Sequence, residues 1–277
     1  MIPFTKMQGN GNDFIVLDNR SGRFSGEDLA RAAGLYCRRR QSLGADGILV
    51  VEASREADYV MRLFNADGSE GEMCGNGARC IAKYAFEKGI AGRRQKFSTL
   101  AGIITAEVDP PFVNLDMGTV RLDEGWFGRT VEAAGEVFEA SFIWVGVPHA
   151  VLFPRAELPR ERKILIGREL RHNLSLFPEG ANVNFVMPDE DGRIRSVTYE
   201  RGVEDLTDSC GTGSTASAIC HVLKGSVSKE VPVVVDVINP GGINAVTLVF
   251  DGEGKSAAAS LRGRTVIVAE GFLTEEL

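Results

Sequence analysis

A chain of 277 residues, 44% hydrophobic and 25% charged, has the balance of a globular protein and the length of about two domains. Its net charge of −7 and isoelectric point near 5.2 argue against nucleic acid or an anionic membrane as partner. No stretch approaches the roughly 18 apolar residues of a membrane span, and Met1-Ile2-Pro3-Phe4 carries no basic-then-apolar leader, so a cytoplasmic location is expected.

Taken in chain order, the first half reads as short strands punctuated by glycine, at Phe14–Leu17, Ile48–Val51, Tyr59–Phe64, Gly102–Val108 and Phe112–Leu115. Helices are expected over Gly26–Cys37, with Ser25 as N-cap, and over Ala78–Lys88. Arg38-Arg39-Arg40, the one compact basic run, reads as a solvated end of the first helix. The second half repeats the scheme. Its strands fall near Phe142–Val145, Ala150–Phe153, Asn184–Met187, Arg193–Tyr199, Val231–Val237 and Ala245–Val249, and its helices over Arg160–Arg171 and Ser214–Leu223. The helices after Ala78 and Ser214 are apolar on nearly every side, as a helix wrapped by strands must be.

Two stretches are near copies: Cys74-Gly75-Asn76-Gly77 and Cys210-Gly211-Thr212-Gly213. Each sets a cysteine and a Gly-X-Gly turn before one of these apolar helices. The first turn of a helix offers unpaired N–H groups and a partial positive charge, which bind carboxylates and favour a thiolate. The pair therefore suggests two thiols acting on one carboxylate-bearing substrate. Cys74 and Cys210 stand 136 positions apart, as do Gly44-Ala45-Asp46 and Gly180-Ala181-Asn182, and Asp13 and His149. At Gly102-Ile103 and Gly242-Ile243 the offset becomes 140. Four landmarks in one order mark two diverged copies of one unit, with a boundary near Met117-Gly118.

Five cysteines form an odd set without a secreted-domain pattern, so they are expected reduced, with Cys37, Cys80 and Cys220 buried and structural. The Cys74–Cys80 spacing and the presence of only three histidines argue against zinc, and no metal is expected.

The chain resembles the diaminopimelate epimerase family, of the same superfamily as proline racemase. The resemblance is carried by Gly9-Asn10-Gly11-Asn12-Asp13-Phe14, Gly44-Ala45-Asp46-Gly47, Phe64-Asn65-Ala66-Asp67-Gly68-Ser69-Glu70 and Met73-Cys74-Gly75-Asn76-Gly77-Ala78-Arg79-Cys80. It continues through Thr99-Leu100-Ala101-Gly102, Pro148-His149-Ala150-Val151, Asn182-Val183-Asn184-Phe185, Tyr199-Glu200-Arg201-Gly202 and the second Cys-Gly-Thr-Gly. It implies an α+β fold of two pseudo-symmetric domains, each a curled, mostly antiparallel, barrel-like sheet around a central helix, with the active site in the cleft between. The domains would be residues 1–117 and 118–263. The closing segment 264–277, with a strand near Thr265–Ala269, would return to the first domain.

The resemblance also implies a cofactor-independent isomerase that inverts an amino-acid α-carbon, in lysine and cell-wall precursor synthesis. Inversion needs a proton carrier on each face of that carbon, a task for Cys74 and Cys210. Backbone N–H groups of Gly75, Asn76, Gly211 and Thr212 would hold the α-carboxylate. His149 and Glu200 match the remaining catalytic positions; a histidine is able to exchange a proton near neutral pH. Asn12, Asn65, Asn182 and Arg201 match positions that bind the distal amino-acid group. No cofactor is implied, the partner is a small amino acid, and a homodimer stays open.

Three departures concern the substrate. Val147 stands where the family usually has Asn, Leu206-Thr207-Asp208-Ser209 where it has Glu-Thr-Leu-Ala, and Gln8 where His is common. Val147 and Leu206 are therefore candidate specificity residues, and a racemase of histidine or of an apolar amino acid is the alternative. A non-catalytic amino-acid-binding protein sits badly with two retained cysteines, His149 and Glu200. A dithiol–disulfide oxidoreductase lacks its Cys-X-X-Cys.

Overall fold

The computed structural model describes residues 1–225 and 232–274. They divide into two compact units, Met1–Asp116 with the segment from Gly263 onward, and Met117–Arg262.

In the first unit, β1 (Ile2–Gly9) and β2 (Asn12–Asp18) form a hairpin. Its turn, Asn10-Gly11, has both residues at positive φ, 49° and 92°, the conformation a two-residue hairpin needs. Helix α1 (Gly26–Tyr36) starts at Ser25, which exchanges hydrogen bonds with Asp28 in a capping box. Then come β3 (Gly47–Glu52), β4 (Tyr59–Asn65), the short β5 (Glu70–Gly71), α2 (Gly75–Glu87), β6 (Arg94–Thr99), β7 (Gly102–Asp109) and β8 (Phe112–Arg121), which continues from Met117 into the second unit. The pairs β2–β3 and β4–β6 are parallel; β3–β4, β6–β7 and β7–β8 are antiparallel.

The second unit contains β9 (Trp126–Ala133), β10 (Glu136–Val145), β11 (Val147–Phe153), α3 (Arg160–Arg171), β12 (Asn182–Pro188), β13 (Ile194–Tyr199), β14 (Leu206–Thr207), α4 (Gly211–Leu223), β15 (Val233–Asn239) and β16 (Gly242–Phe250). The last strand, β17 (Ser256–Leu273), begins in the second unit and ends in the first, where it pairs with β1 from Gly9↔Thr265 to Ile2↔Leu273. Val231, where a strand was expected to begin, lies outside the described residues.

The internal repeat is written in the strand registers. Phe14 pairs with Gly47 in the parallel β2–β3, and Ala150 with Val183 in the parallel β11–β12, the same offset of 136 on both sides. Thr99↔Gly102 in β6–β7 recurs as Asn239↔Gly242 in β15–β16, offset by 140. Each unit wraps its sheet around one helix. Ten consecutive residues of α2, Asn76–Ala85, are buried, and ten of α4, Gly213–Val222. α4 packs on β10, β11, β12, β13, β15 and β16, and α2 on β1, β2, β3, β4 and β7. The fold is α+β with barrel-like, mostly antiparallel sheets. The other faces of the two sheets carry α1 and α3, over cores that include Ile15, Leu17, Leu29 and Phe64 in one unit and Leu152, Ile166, Phe185 and Tyr199 in the other.

Among the described residues, no helix is long and apolar enough to cross a membrane, and no three His, Cys, Asp or Glu side chains form a group suited to a metal ion.

Candidate active site

Both motif helices begin three residues before the sequence suggests, at Gly75 and Gly211, so the glycines lie within the first turn. Cys74 and Cys210 are thereby the N-cap residues, in extended backbone. No cysteine is in a disulfide. Cys37, Cys80 and Cys220 are buried, and burial pushes their thiols up to about 11, 12 and 12, which leaves them inert.

In the first unit, Asn12 stands at the start of β2. Its Oδ1 accepts a hydrogen bond from Asn76 Nδ2, and its own Nδ2 donates to Asp46 Oδ2 at 3.0 Å. Asp46 also accepts from the Asp13 N–H. Arg39 does more than solvate a helix end: it bridges Asp13 at 2.6 Å and Asp46 at 2.8 Å. Burial opposes the ionisation of Asp13, but Arg39 and Lys6 outweigh it and hold the carboxyl below its usual range. Asn12 is thus fixed against the first turn of α2. Asn76 is buried and also accepts from Arg79 Nη2 at 2.6 Å. Asn65 closes β4, where its Nδ2 donates to Ser69 Oγ at 3.0 Å. It lies on the α2 side of the sheet, since its neighbour Phe64 points into the α1-side core. A methyl at Gly75 would meet nothing within 4 Å, so the start of α2 is open.

In the second unit, Cys210 Sγ accepts from the Gly213 N–H at 3.3 Å and lies 3.4 Å from Thr212 Oγ1. The Cys210 carbonyl accepts from Ser214 Oγ at 2.8 Å. His149 is fully buried on β11, and its Nδ1 lies 3.1 Å from Asn184 Nδ2. Burial, aided by the nearby positive charge of Arg201, pushes its pKa down to about 3. Near neutral pH the ring is therefore neutral. Glu200 accepts from Thr207 Oγ1 at 2.9 Å; burial raises its pKa against that hydrogen bond. Asn182 Oδ1 accepts from the Arg201 N–H at 2.7 Å, and Arg201 Nη1 donates to the Glu179 carbonyl at 3.1 Å.

Strand alternation sorts these side chains by face. Val151 and Ile194 belong to the α4-side core, so Val147, His149, Asn182, Asn184, Thr198 and Glu200 share that side. Val147 follows the turn at Gly146 (φ 69°) and is half-buried. Leu206 pairs with Tyr199 and packs with it on the α3-side core, away from that face. Its neighbour Thr207 is the β14 residue that meets Glu200. Two residues absent from the sequence-based set therefore hold members of it, Asn184 at His149 and Thr207 at Glu200. The signal for Asn184 is a polar residue inside the otherwise apolar Val183–Val186 strand.

The diaminopimelate epimerase family model matches residues 4–122 and 141–266. A diaminopimelate epimerase of Methanothrix thermoacetophila is 39% identical, with 100% of this chain and 97% of that protein covered. One from Aquifex aeolicus is 38% identical over 99% and 98%. Among solved structures, a phenazine biosynthesis protein of the PhzF family from Bacillus anthracis superposes with a TM-score of 0.70 at 16% identity, covering 99% of each chain. A probable proline racemase from Agrobacterium radiobacter gives 0.69 at 17%, covering 100% of this chain and 94% of that one. These two share the fold. With its full-length relatives, the chain is an isomerase. It belongs to the diaminopimelate epimerase family.

Proposed function

We propose that this isomerase interconverts LL- and meso-diaminopimelate by a two-thiol mechanism. The observation that carries the reading is the doubled N-cap: each central helix, thirteen residues long, begins immediately after a cysteine. One cysteine enters as thiolate and removes the α-proton. The other, as thiol, delivers a proton to the opposite face and leaves as thiolate, so charge and protons balance. N–H groups of Gly75, Asn76, Gly211 and Thr212 hold the α-carboxylate as it takes up the negative charge left behind by the departing proton. Cap donors such as the Gly213 N–H favour the thiolate. Glu200 assists as a carboxyl whose pKa is raised by burial. Asn12, Asn65, Asn182 and Arg201 take the distal amino-acid group, Arg201 with its bidentate fork. The scheme calls on no cofactor and no metal.

The named relatives, at about two-fifths identity over their full lengths, support diaminopimelate as substrate. Val147 supports a second reading, a racemase of another amino acid. It presents an apolar side chain on the His149 face, where an amide is usual in the family.

The test is incubation in deuterium oxide with LL-diaminopimelate and a panel including histidine, proline and apolar amino acids, scored for α-deuterium and stereoisomer. Label entering both diaminopimelate isomers is expected. Label entering only another amino acid transfers the reading to that substrate, and no label in any of them ends both readings.

A further inference from the structure

Asn184 is fully buried in β12, and its amide makes three contacts. Its Nδ2 donates to the Ala150 carbonyl at 3.0 Å and approaches His149 Nδ1 at 3.1 Å, while its Oδ1 accepts from Thr198 Oγ1 at 2.8 Å. The Ala150 carbonyl can only accept, so it fixes which end of the amide carries the hydrogens. A flipped amide would set oxygen against oxygen in a buried site. Asn184 therefore presents an N–H to His149 Nδ1, and Nδ1 must be the bare nitrogen of the ring. The ring proton sits on Nε2. That Nε2 is buried and has no hydrogen-bond partner among the described residues. An unmatched buried donor costs on the order of 1–3 kcal/mol. It is kept where an acceptor arrives with a ligand.

We propose that Asn184 is a positioning residue that locks His149 in its neutral Nε2–H tautomer, so that the ring offers one fixed donor to an acceptor oxygen carried by the substrate. This rests on the function proposed above, but the tautomer itself does not. The arrangement is rigid on its far side too. A methyl at Gly213 would lie 2.5 Å from Asn184 Oδ1 and 2.8 Å from Thr198 Oγ1. The residue whose N–H caps the Cys210 thiol is therefore also the residue whose bareness lets Asn184 reach His149.

The protein has three histidines, so ring-labelled [15N]histidine resolves each one, with His149 assigned by loss of its signal in His149→Asn. The native protein should show a pyridine-type Nδ1 and a pyrrole-type Nε2 at His149. Asn184→Asp replaces the donor by a carboxylate that accepts, which should move the proton to Nδ1. Substrate α-hydrogen exchange should then fall in kcat by about 100-fold or more, as when a donor is lost or a histidine is held in the wrong tautomer. Thr198→Val, which leaves both Nδ2 contacts in place, should keep the native tautomer. A native His149 protonated on Nδ1 or on both nitrogens overturns the proposal, whether or not Asn184→Asp folds. So does an inverted tautomer with native turnover. If the native protein exchanges no substrate hydrogen while the tautomer is as stated, the functional reading fails instead.

Discussion

Replacing His149 by Asn should flatten the acid side of the stability profile. The change keeps an acceptor for Asn184, because Oδ1 of asparagine takes the place of Nδ1, and it removes the titration of the ring. An unfolded histidine has a pKa near 6.5, whereas burial holds His149 at about 3 in the folded chain. Above pH 6.5 neither state binds the proton, and the stability is fully present. As the pH falls from there toward 3, the unfolded chain binds a proton that the folded chain refuses. Stability is then lost at about 1.4 kcal/mol per pH unit, roughly 3 kcal/mol by pH 4.5 and approaching about 5 kcal/mol at pH 3. The cavity left by the smaller side chain costs the same at every pH and drops out of the difference. So do the other titrating groups, including His221, whose pKa is also lowered by burial, because both proteins contain them. Urea unfolding followed by circular dichroism at about pH 7.5 and about pH 4.5 reads the effect. The native protein should lose about 2–3 kcal/mol more than His149→Asn between the two. Equal losses would mean that the ring accepts its proton in the folded state, and the buried-neutral account of His149 would be wrong.

Cys74→Ala and Cys210→Ala should each lower α-hydrogen exchange with inversion by about 100-fold or more while native circular dichroism is kept; near-native turnover by either variant would end the two-thiol scheme. Gly213→Ala should destabilise by about 1–3 kcal/mol, because its methyl meets two buried polar atoms at 2.5 and 2.8 Å, whereas Gly75→Ala, with nothing within 4 Å, should unfold like the native chain yet raise KM. Equal unfolding midpoints for the two variants would contradict that packing. Thr207→Val removes the hydrogen bond that opposes the burial of Glu200, so the carboxyl pKa rises further and the acid limb of kcat/KM moves to higher pH; an unmoved limb would take Glu200 out of the profile. Val147→Asn should raise kcat/KM for diaminopimelate by about tenfold, some 1.4 kcal/mol of transition-state binding, and a fall would remove Val147 from the specificity reading.

The helices were the most legible part of the sequence. Ser25 marked the start of α1, Arg160–Arg171 matched α3 end to end, and two apolar helices behind cysteines marked α2 and α4. Their first turns were missed because Gly-X-Gly reads as a loop. Gly213 is helical because only a bare Cα fits against Asn184 and Thr198, a tertiary demand that no local pattern reveals. Strands whose alternation is broken were missed as well. In β1 the buried positions are Ile2, Thr5, Met7 and Gly9, so the period of two is broken at Pro3-Phe4 and two of the inward residues are not large apolar ones. In β6 the buried Gln95 reads as surface, although Tyr59 donates to its Oε1 at 2.8 Å and its Nε2 donates to the carbonyls of Ala82 and Gly92 at 2.9 Å each. Residue types alone picked out His149 and Glu200. The amide and hydroxyl that hold them, Asn184 and Thr207, emerge only when neighbouring strands are laid side by side.

The pairing of Ile2 with Leu273 sets an order on assembly. The second unit is one continuous stretch of chain and has all of its residues once Arg262 has been made. The first unit is begun earliest and completed last, because β1 waits for a partner that leaves the ribosome some 260 residues behind it. Until then β1 pairs with β2 alone, and its other edge is open to any strand that finds it. A nascent chain stalled or clipped shortly before Gly263 would therefore present a finished second unit and an unclosed first one. Damage at the carboxyl end would be felt at the helix that follows Cys74.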